Sequence, residues 1–368
     1  MTQTPGTPGP SSGRSPVDPD NASAAPPPPY GGYPVFVSPP PSKKGGMFTR
    51  ILMGLFASVL IFSLLSNFYL TQIVATLMSG PHEESYQPGG DANQRIVILP
   101  VEGVIDDSTA VFVRRAFDVI RQNSENLPKA IVLRVDSPGG YVGASDRIYH
   151  ELIRFKTEYP MVPVVVSMGS VAASGGYYVS AAGDHILAEP TCVTGSIGVI
   201  LQAATVEELL KNIGVAPVVL VADTSPRKDV ANNIFRAWTD EDFNKMKVML
   251  NSAHARFMKV VADGRKAVLT EEQVRVLSNG DIYMTAEAVA NKLIDGEGYL
   301  DDAIAEAKKR AGLKVEPKVS IIRQAHGFNP LNLLGKAEHS LPRNGKELGA
   351  WLRDAAEPTM EYRWVPGR

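Results

Sequence analysis

The sequence is nearly free of cysteine, with Cys192 alone among 368 residues. A single thiol excludes an intramolecular disulfide framework and a cysteine-rich metal site, so we expect a lone buried thiol there. Neither sign of charge is in excess, because 37 lysines and arginines stand against 39 aspartates and glutamates, for a formal net charge of -2. This balance gives no indication of a nucleic-acid partner.

Large aliphatic side chains are scarce in residues 1–46, which are crowded with proline, glycine and serine. The runs 26–29 and 39–41 consist of proline only. Such a segment buries too little apolar surface to offset the entropy of ordering it. We therefore predict a disordered, partly polyproline II tail that acts as a solvated spacer, with docking of a partner module as the alternative.

Charge is missing altogether from residues 51–81, and the segment 47–78 is long enough as a helix to cross about 30 Å of hydrocarbon. Basic residues precede this segment and acidic residues follow it, namely Lys43, Lys44 and Arg50 before it and Glu83, Glu84 and Asp91 after it. The positive-inside rule then places the N-terminus in the cytoplasm and the bulk of the chain outside it. A cleavable signal peptide is the rival interpretation, but the segment is long and lies far from the N-terminus.

After a polar linker, residues 79–94, apolar strand patterns alternate with helical periodicity. Strands are predicted at 95–101, 130–135 and 161–167, and helices at 108–126, capped by Ser108, and at 142–156. Repeated strand, turn and helix units predict an α/β domain with a parallel sheet. Its functional loops should follow the carboxyl ends of the strands.

The later part of the chain continues this pattern as far as residue 315. A strand is predicted at 215–221, and helices at 239–263, capped by Thr239, and at 270–311. Residues 316–368 are weakly patterned and punctuated by five prolines, so we predict a C-terminal extension without a domain of its own. The α/β domain that carries the candidate functional residues is thus expected to span residues 95–315.

Two glycine-rich turns follow successive predicted strands. One contains Gly139 and Gly140, and the other contains Ser174, Gly175 and Gly176. Exposed backbone N–H groups at such turns can stabilise a developing oxyanion, and Ser174 adds a hydroxyl nucleophile. For either turn alone, a merely tight connection between strand and helix is an equally good explanation.

A nucleophilic serine needs a base, and histidine is the usual one. None of the six histidines lies in a catalytic-looking turn, and His185, beside Asp184, comes nearest. Lysine is the alternative, provided that burial lowers its pKa enough to leave some amine neutral. Lys228 lies in a polar turn and by composition alone would be a surface lysine.

Four sequence blocks in order resemble the signal peptide peptidase A family of serine peptidases. They are Asp136-Ser-Pro-Gly-Gly140, Ser167-Met-Gly-Ser-Val-Ala-Ala-Ser-Gly-Gly-Tyr-Tyr-Val-Ser180, Thr194-Gly-Ser-Ile-Gly-Val-Ile200 and Arg227-Lys-Asp229. The resemblance implies that Ser174 is the nucleophile, that Lys228 is its general base and that Ser196 orients the lysine amine. It also implies an oxyanion hole formed by Gly139 or Gly140 together with Gly175.

The same resemblance implies a Clp/crotonase-like fold and a homo-oligomeric ring that encloses the active sites, an octamer being one such ring. It implies no cofactor and no metal. The sequence departs from the family pattern at Asp136, where asparagine is also familiar, and in its long proline-rich tail. Neither departure involves Ser174 or Lys228.

Three functions are compatible with these features. The first is a membrane-anchored endopeptidase that degrades hydrophobic peptides, especially cleaved signal peptides. A crotonase-like acyl-CoA enzyme is the second, disfavoured because the anchor would hold the domain away from cytoplasmic CoA. The third is a catalytically silent membrane scaffold, against which the presence of Ser174, Lys228 and Ser196 argues.

Overall fold

A mostly parallel β-sheet organises the chain in the computed structural model, which describes residues 46–78, 80–123, 126–229, 233–324 and 360–363. The chain divides into two units, residues 1–64 and 65–368. Its strands are β1 (His82–Ser85), β2 (Asp91–Ile105), β3 (Ala130–Tyr141), β4 (Val164–Ala173), β5 (His185–Ala188), β6 (Val193–Gly195), β7 (Ile200–Leu201), β8 (Ile282–Met284), β9 (Gly296–Glu297), β10 (Pro317–Arg323) and β11 (Met360–Arg363).

The helices connect and cover these strands. They are α1 (Gly46–Met78), α2 (Asp107–Gln122), α3 (Val142–Glu158), α4 (Gly175–Ser180), α5 (Glu207–Asn212), α6 (Asp240–Arg265), α7 (Glu271–Leu277), α8 (Thr285–Ala290) and α9 (Leu300–Arg310). This alternation matches the predicted α/β class with a parallel sheet behind an N-terminal apolar helix.

Helix α1 is apolar along most of its length. Its part Gly46–Thr71 is long and apolar enough to cross a membrane, and none of the most apolar stretch is buried within the protein. An exposed apolar helix of this length is costly in water and stable in hydrocarbon. The predicted tail lies outside the described residues apart from Gly46.

The strands follow the order β1-β10-β2-β3-β4-β5-β9 across the sheet. Neighbours from β10 to β9 run parallel, and β1 pairs antiparallel with β10 at one edge. Strand β6 continues the sheet beside the end of β4, and β8 pairs antiparallel with β6. Because parallel neighbours end at the same edge, the turns after β3, β4 and β6 lie side by side.

The two faces of the sheet carry two apolar cores, because side chains of a strand alternate between faces. Val97 and Leu99 of β2 belong to the larger core, together with Phe117 of α2 and Leu152 of α3. On the opposite face, Ile96, Ile98, Val132 and Val165 pack with Ala303, Ile304 and Ala307 of α9. Helices cover both faces of the sheet, so the end of the sheet formed by the carboxyl ends of the strands stays uncovered by them.

The first helix of the domain is capped two residues earlier than predicted. Asp106, not Ser108, is the N-cap of α2, and its carboxylate accepts a hydrogen bond from the Thr109 backbone N–H at 2.9 Å. Ser108 instead donates its hydroxyl to the same carboxylate at 2.6 Å. A carboxylate satisfies the free N–H groups of a helix start and interacts favourably with its dipole.

Two predictions for the later chain are wrong. Residues 270–311 do not form one helix, because α7, α8 and α9 are separated by β8 and β9. Residues 215–221 contain no strand, and within this stretch Val218 and Leu220 are 81% and 90% exposed. The helix α6 is capped by Thr239 as expected, with a reciprocal hydrogen bond between Thr239 and Asp242.

The sheet also extends beyond residue 315. Strand β10 lies between β1 and β2, where Val319 pairs with Ile96 and Ile321 with Ile98. Ile322 of β10 is fully buried. Residues 325–359 and 364–368 of the predicted extension lie outside the described part of the chain.

Candidate active site

Ser174 and Ser196 occupy equivalent places at the ends of two paired parallel strands. Ala173 is the last residue of β4 and Gly195 the last of β6, and these two residues are partners in the ladder. The serines follow them directly, and the Ser174 backbone N–H donates to the Gly195 carbonyl oxygen at 2.8 Å. The register therefore brings together two of the predicted site residues, which are 22 positions apart in the chain.

Both serines have backbone conformations that L residues seldom adopt. Ser174 has φ 53° and Ser196 has φ 48°. Ser174 is 1% exposed and precedes α4, where its carbonyl oxygen accepts from the Tyr178 N–H at 2.8 Å. The Ser196 N–H is held by the Asp281 carbonyl oxygen at 2.6 Å. Such strain costs about 1–3 kcal/mol per residue and is concentrated at functional sites.

The two predicted glycine turns are in contact. A Cβ added to Gly175 would lie 3.1 Å from both the Gly139 Cα and the Gly140 backbone nitrogen, and 2.6 Å from the Ser145 Oγ. Gly139, with φ 100°, donates its N–H to the Ser137 hydroxyl at 3.1 Å. The structure thus brings the backbones of Gly139, Gly140 and Gly175 together, and Gly175 directly follows Ser174 in the chain.

Asp136 supports the last part of β4, which leads to Ser174. Its Oδ1 accepts a hydrogen bond from the Val171 backbone N–H at 3.1 Å. An asparagine carbonyl oxygen could accept the same bond, so the departure from the family pattern at this position preserves the contact. Next to it, Arg134 donates to Ser167 and forms an ion pair with Glu189 at 2.6 Å.

A cleft of about 410 Å³ opens in front of Ser174. Its walls come from the turn after β6, from α6 and from the turn before β8. The lining residues are Ser174, Ser196, Ile197, Gly198, Val199, Ile200, Leu250, Asn251, His254, Ser278, Asn279 and Gly280.

Lys228 lies apart from this cleft lining. It belongs to a turn in which its backbone N–H donates to the Ser225 carbonyl oxygen at 3.0 Å, and its side chain is exposed. The neighbouring residues make the ionic contacts of this turn, with Arg227 paired to Glu241 and Asp229 to Arg236. The described chain does not bring Lys228 and Ser174 together.

Sequence reasoning overlooked His254, the histidine that does line the cleft. Its Nε2 lies 3.2 Å from the Ile197 carbonyl oxygen. A carbonyl oxygen only accepts, so in this geometry Nε2 carries the proton and donates it. Nε2 is therefore occupied and does not serve as an acceptor for the Ser174 hydroxyl. Its position on α6, eleven residues before Arg265, carries no local motif that would have revealed it.

His185 is the histidine that came nearest to a catalytic-looking position in the sequence. In the structure its ring contacts Arg310 and Asp295. Its Nδ1 lies 2.9 Å from an Arg310 nitrogen and 3.6 Å from an Asp295 carboxylate oxygen. Burial is the main cause that lowers the pKa of His185, and it outweighs the opposing attraction of Asp295. His185 is not among the described residues that line the cleft.

Cys192 is not a candidate nucleophile. It is fully buried, and burial raises the pKa of its thiol to about 12. The thiolate is the reactive form of cysteine, so this thiol is inert near neutral pH.

One further strand lies next to the glycine turn. Strand β11 pairs antiparallel with the end of β3, where Tyr362 is opposite Gly140 and Arg363 opposite Gly139. Its other edge pairs antiparallel with β7, where Met360 is opposite Leu201. An extended segment therefore fits between β3 and β7 by adding a strand to both.

A second groove, of about 500 Å³, adjoins the cleft. Leu250 of α6 lines both. Its walls are largely apolar and include Leu201, Trp238, Phe243 and Met246. The space beside the serine cleft thus suits large apolar side chains.

Comparison with known proteins finds a family model that matches part of the chain. Residues 158–314 match the family described as peptidase family S49. The chain is 31% identical over 255 residues to "Putative signal peptide peptidase SppA" of Enterococcus faecium, covering 67% of this chain and 72% of that one. It is 32% identical over 250 residues to a "Putative protease" of Synechocystis, covering 66% of this chain and 86% of the relative.

Longer relatives match as well. "Protease 4" of Salmonella typhi is 42% identical over 186 residues, half of this chain and 29% of that protein. "Protease 4" of Haemophilus influenzae is 33% identical over 224 residues. The chain spans about a third of the length of these two proteins, 29% and 34%.

Proposed function

The chain belongs to peptidase family S49, the signal peptide peptidase A family of serine peptidases, and we propose that it is a membrane-anchored endopeptidase of hydrophobic peptides such as cleaved signal peptides. In this proposal Ser174 forms an acyl-enzyme and Lys228 acts as the general base. The observation that carries it is the placement of the strained, buried Ser174 beside Ser196 and the glycine turn.

The proposed reaction begins when the Ser174 Oγ attacks the carbonyl carbon of the scissile peptide bond. Lys228 takes the hydroxyl proton and returns it to the leaving amine as the peptide bond breaks. The N–H groups of Gly175 and Gly140 stabilise the oxyanion that forms, since the Gly139 N–H is donated to the Ser137 hydroxyl. Water then hydrolyses the ester at Ser174, with the lysine amine again accepting a proton.

The lysine must be neutral to act as a base, which requires its removal from water. Lys228 is exposed in the described chain, and so is the apolar stretch that precedes it, including Val218 and Leu220. A homo-oligomer that covers this surface would bury both the apolar residues and the amine. We therefore propose that assembly brings Lys228 to a Ser174, either of its own chain or of a neighbouring one, with Ser196 orienting the amine.

Two features support a hydrophobic peptide as the substrate. The gap between the end of β3 and β7 accommodates an extended backbone, as β11 illustrates. The groove next to it presents Trp238, Phe243 and Leu250 to the side chains of such a peptide. Backbone pairing supplies affinity that is independent of sequence, and the apolar groove supplies the preference.

The helix Gly46–Thr71 is the proposed anchor, and the basic residues before it favour a cytoplasmic N-terminus. The peptidase domain would then act outside the cytoplasm, at the surface where signal peptides are left after cleavage. Anchoring raises the local concentration of enzyme near membrane-bound peptides.

Variants at the dyad test the proposal directly. Ser174→Ala and Lys228→Ala should each abolish cleavage of an apolar fluorogenic peptide while the unfolding midpoint stays unchanged. Lys228→Arg should be equally inactive, because a guanidinium stays protonated. His254→Ala is the matched control, since the histidine lines the cleft without an assigned catalytic role. Wild-type turnover by Lys228→Ala, with a dead His254→Ala, would refute the lysine assignment.

Mixing the two inactive variants shows where the lysine comes from. If assembly delivers Lys228 to a neighbouring chain, co-refolded Ser174→Ala and Lys228→Ala chains will regain part of the activity. If each chain completes its own site, the mixture will stay inactive.

A further inference from the structure

Strand β4 bulges shortly before it reaches Ser174. Two consecutive pairs of its ladder with β3 frame this bulge, Val135 with Met168 and Ser137 with Ala172. Between these pairs three residues of β4, 169–171, stand opposite Asp136 alone. Bulges redirect a strand and are frequent next to active sites, where they re-aim a side chain.

The bulge coincides with a change of partner strand. Before it β4 pairs with β5, and from Val171 onward β4 pairs with β6. In this second ladder Ala173 is opposite Gly195, and the Ser174 backbone N–H donates to the Gly195 carbonyl oxygen. The closeness of Ser174 and Ser196 therefore depends on the bulge that moves β4 from one neighbour to the other.

A side chain of β3 holds the bulge in shape. The half-buried Asp136 accepts the Val171 backbone N–H at its Oδ1, at 3.1 Å. A backbone N–H that faces no ladder partner at a bulge needs such an acceptor. Gly169 packs against the same carboxylate, since a Cβ there would lie 2.9 Å from the Asp136 Cγ and 3.0 Å from an Arg134 nitrogen. The carboxylate thus contacts both ends of the three-residue bulge.

We infer that Asp136 is a positioning residue for the nucleophile, because its carboxylate fixes the bulge of β4 and thereby the place of Ser174 beside Ser196. Its effect on rate rests on the proposed peptidase function. Asp136 is not among the described residues that line the cleft, so it acts on the substrate only through Ser174. A misplacement of reacting groups by about 1 Å costs about a hundredfold in rate. Loss of the carboxylate should therefore lower kcat and leave KM largely unchanged.

The test compares two carboxylates that bind the same strand. Asp184 accepts the Val164 backbone N–H at 2.8 Å, at the start of β4 and before the bulge, so Asp184→Ala is the matched control. We expect Asp136→Ala to lower kcat for an apolar fluorogenic peptide about tenfold to a hundredfold, with KM within about twofold of wild type. Asp136→Asn keeps an oxygen acceptor and should restore kcat, and Asp184→Ala should keep it at a temperature where the variant is folded. A wild-type kcat in Asp136→Ala would overturn the inference.

A second variant disturbs the same contact from the side of β4. Gly169→Ala brings a Cβ to 2.9 Å from the Asp136 Cγ, where ordinary contact begins at 3.4 Å, so the carboxylate must retreat by about 0.5 Å, the difference of the two. This variant should lower kcat in the same direction but less than Asp136→Ala, and it decides the question if Asp136→Ala does not fold. Wild-type kcat in Gly169→Ala would then contradict the inference.

Hydrogen exchange separates the bulge from the catalytic proposal. Amide exchange of the full-length variants in detergent is followed by mass spectrometry at residue resolution. In Asp136→Ala the Ser174 N–H should exchange at least about tenfold faster than in wild type, because its bond to Gly195 loosens with the bulge, whereas Asp184→Ala should leave it unchanged. Faster exchange in a chain without peptidase activity would support the positioning role and refute only the proposed function. Equal protection of Ser174 in wild type and Asp136→Ala would overturn the positioning role, whether or not the chain proves to be a peptidase.

Discussion

Gly175→Ala is the most direct probe of the packing behind the proposed oxyanion hole. The new Cβ would lie 2.6 Å from the Ser145 Oγ, where ordinary contact begins at 3.4 Å, so the hydroxyl must retreat by about 0.8 Å, the difference of the two. The Gly140 nitrogen, at 3.1 Å, must move by about 0.3 Å by the same subtraction. Gly175 is outside the positive φ region, so its backbone adds no strain of its own.

The expected cost follows from these displacements. Overpacking by one methyl group in a rigid interior costs about 1–3 kcal/mol. If this energy appears in the transition state through a displaced Gly140 N–H, kcat/KM falls about 5-fold to about 150-fold. Urea unfolding of Gly175→Ala measures the loss of stability, and peptide hydrolysis measures the loss of kcat/KM.

Two further variants make the experiment specific. Gly143→Ala is the control, because a Cβ there meets nothing within 4 Å, and the change should be neutral or stabilise by up to about 1 kcal/mol. Ser145→Ala removes a buried hydroxyl that has no hydrogen-bond partner within the described residues. Combined with Gly175→Ala, it should restore at least about 1 kcal/mol through coupling of the two sites. Wild-type stability and kcat/KM for Gly175→Ala alone would refute the reasoning.

The remaining predictions concern the base, the assembly, the topology and pH. Ser196→Ala should lower kcat roughly tenfold without abolishing cleavage, because it only orients the base; an unchanged kcat would argue against that role. The domain from about residue 90 should form a large homo-oligomer in light scattering, and a fully active monomer would contradict the ring. Protease added to intact spheroplasts should digest the domain and spare the tail, whereas the reverse pattern would invert the topology. The pKa of His185 in the folded chain is below its ordinary value of 6.5, so its contribution to stability is present above pH 6.5 and is lost as pH falls below it. In urea unfolding, the free energy of unfolding of His185→Gln should therefore fall less between pH 7 and pH 5 than that of wild type. An equal fall would contradict this.

Local patterns in the sequence predicted most of the elements near the site. Strands β2, β3 and β4 each contain an apolar run, and α3 starts at Val142 as expected. Capping was less predictable, because Asp106 and Ser108 are both good N-cap residues and only the backbone geometry distinguishes them. Residues 270–311 are rich in helix-forming residues, but the segments Ser278-Asn-Gly-Asp281 and Asp295-Gly-Glu-Gly298 interrupt them, and β8, which pairs with β6, follows the first.

Contacts between residues far apart in the chain could not be predicted from local sequence patterns. Strand β10 pairs with β2 more than 200 residues earlier, and no local pattern encodes such a partner. The closeness of Ser174 and Ser196 likewise depends on the register of β4 and β6, so it was available only through the family resemblance. His254 reaches the cleft because α6 packs beside it, which periodicity alone does not specify.

Lys228 shows the opposite relation between sequence and structure. The family motif identifies it, whereas the described chain leaves it exposed and away from the cleft lining. If assembly buries Lys228 against another surface, the proposed role as a base agrees with the exposure of Lys228 in the single chain. Its local sequence therefore resembles that of an ordinary surface turn.

Covalent labelling at Ser174 tests the central claim most directly. The full-length protein in detergent is treated with a fluorophosphonate probe, digested and mapped by mass spectrometry, with Lys228→Ala treated in parallel. We predict one adduct on Ser174, formed faster as pH rises above neutrality and strongly slowed in Lys228→Ala, because the neutral amine activates the hydroxyl. An unlabelled Ser174, or labelling that proceeds at the wild-type rate in Lys228→Ala, would contradict the account.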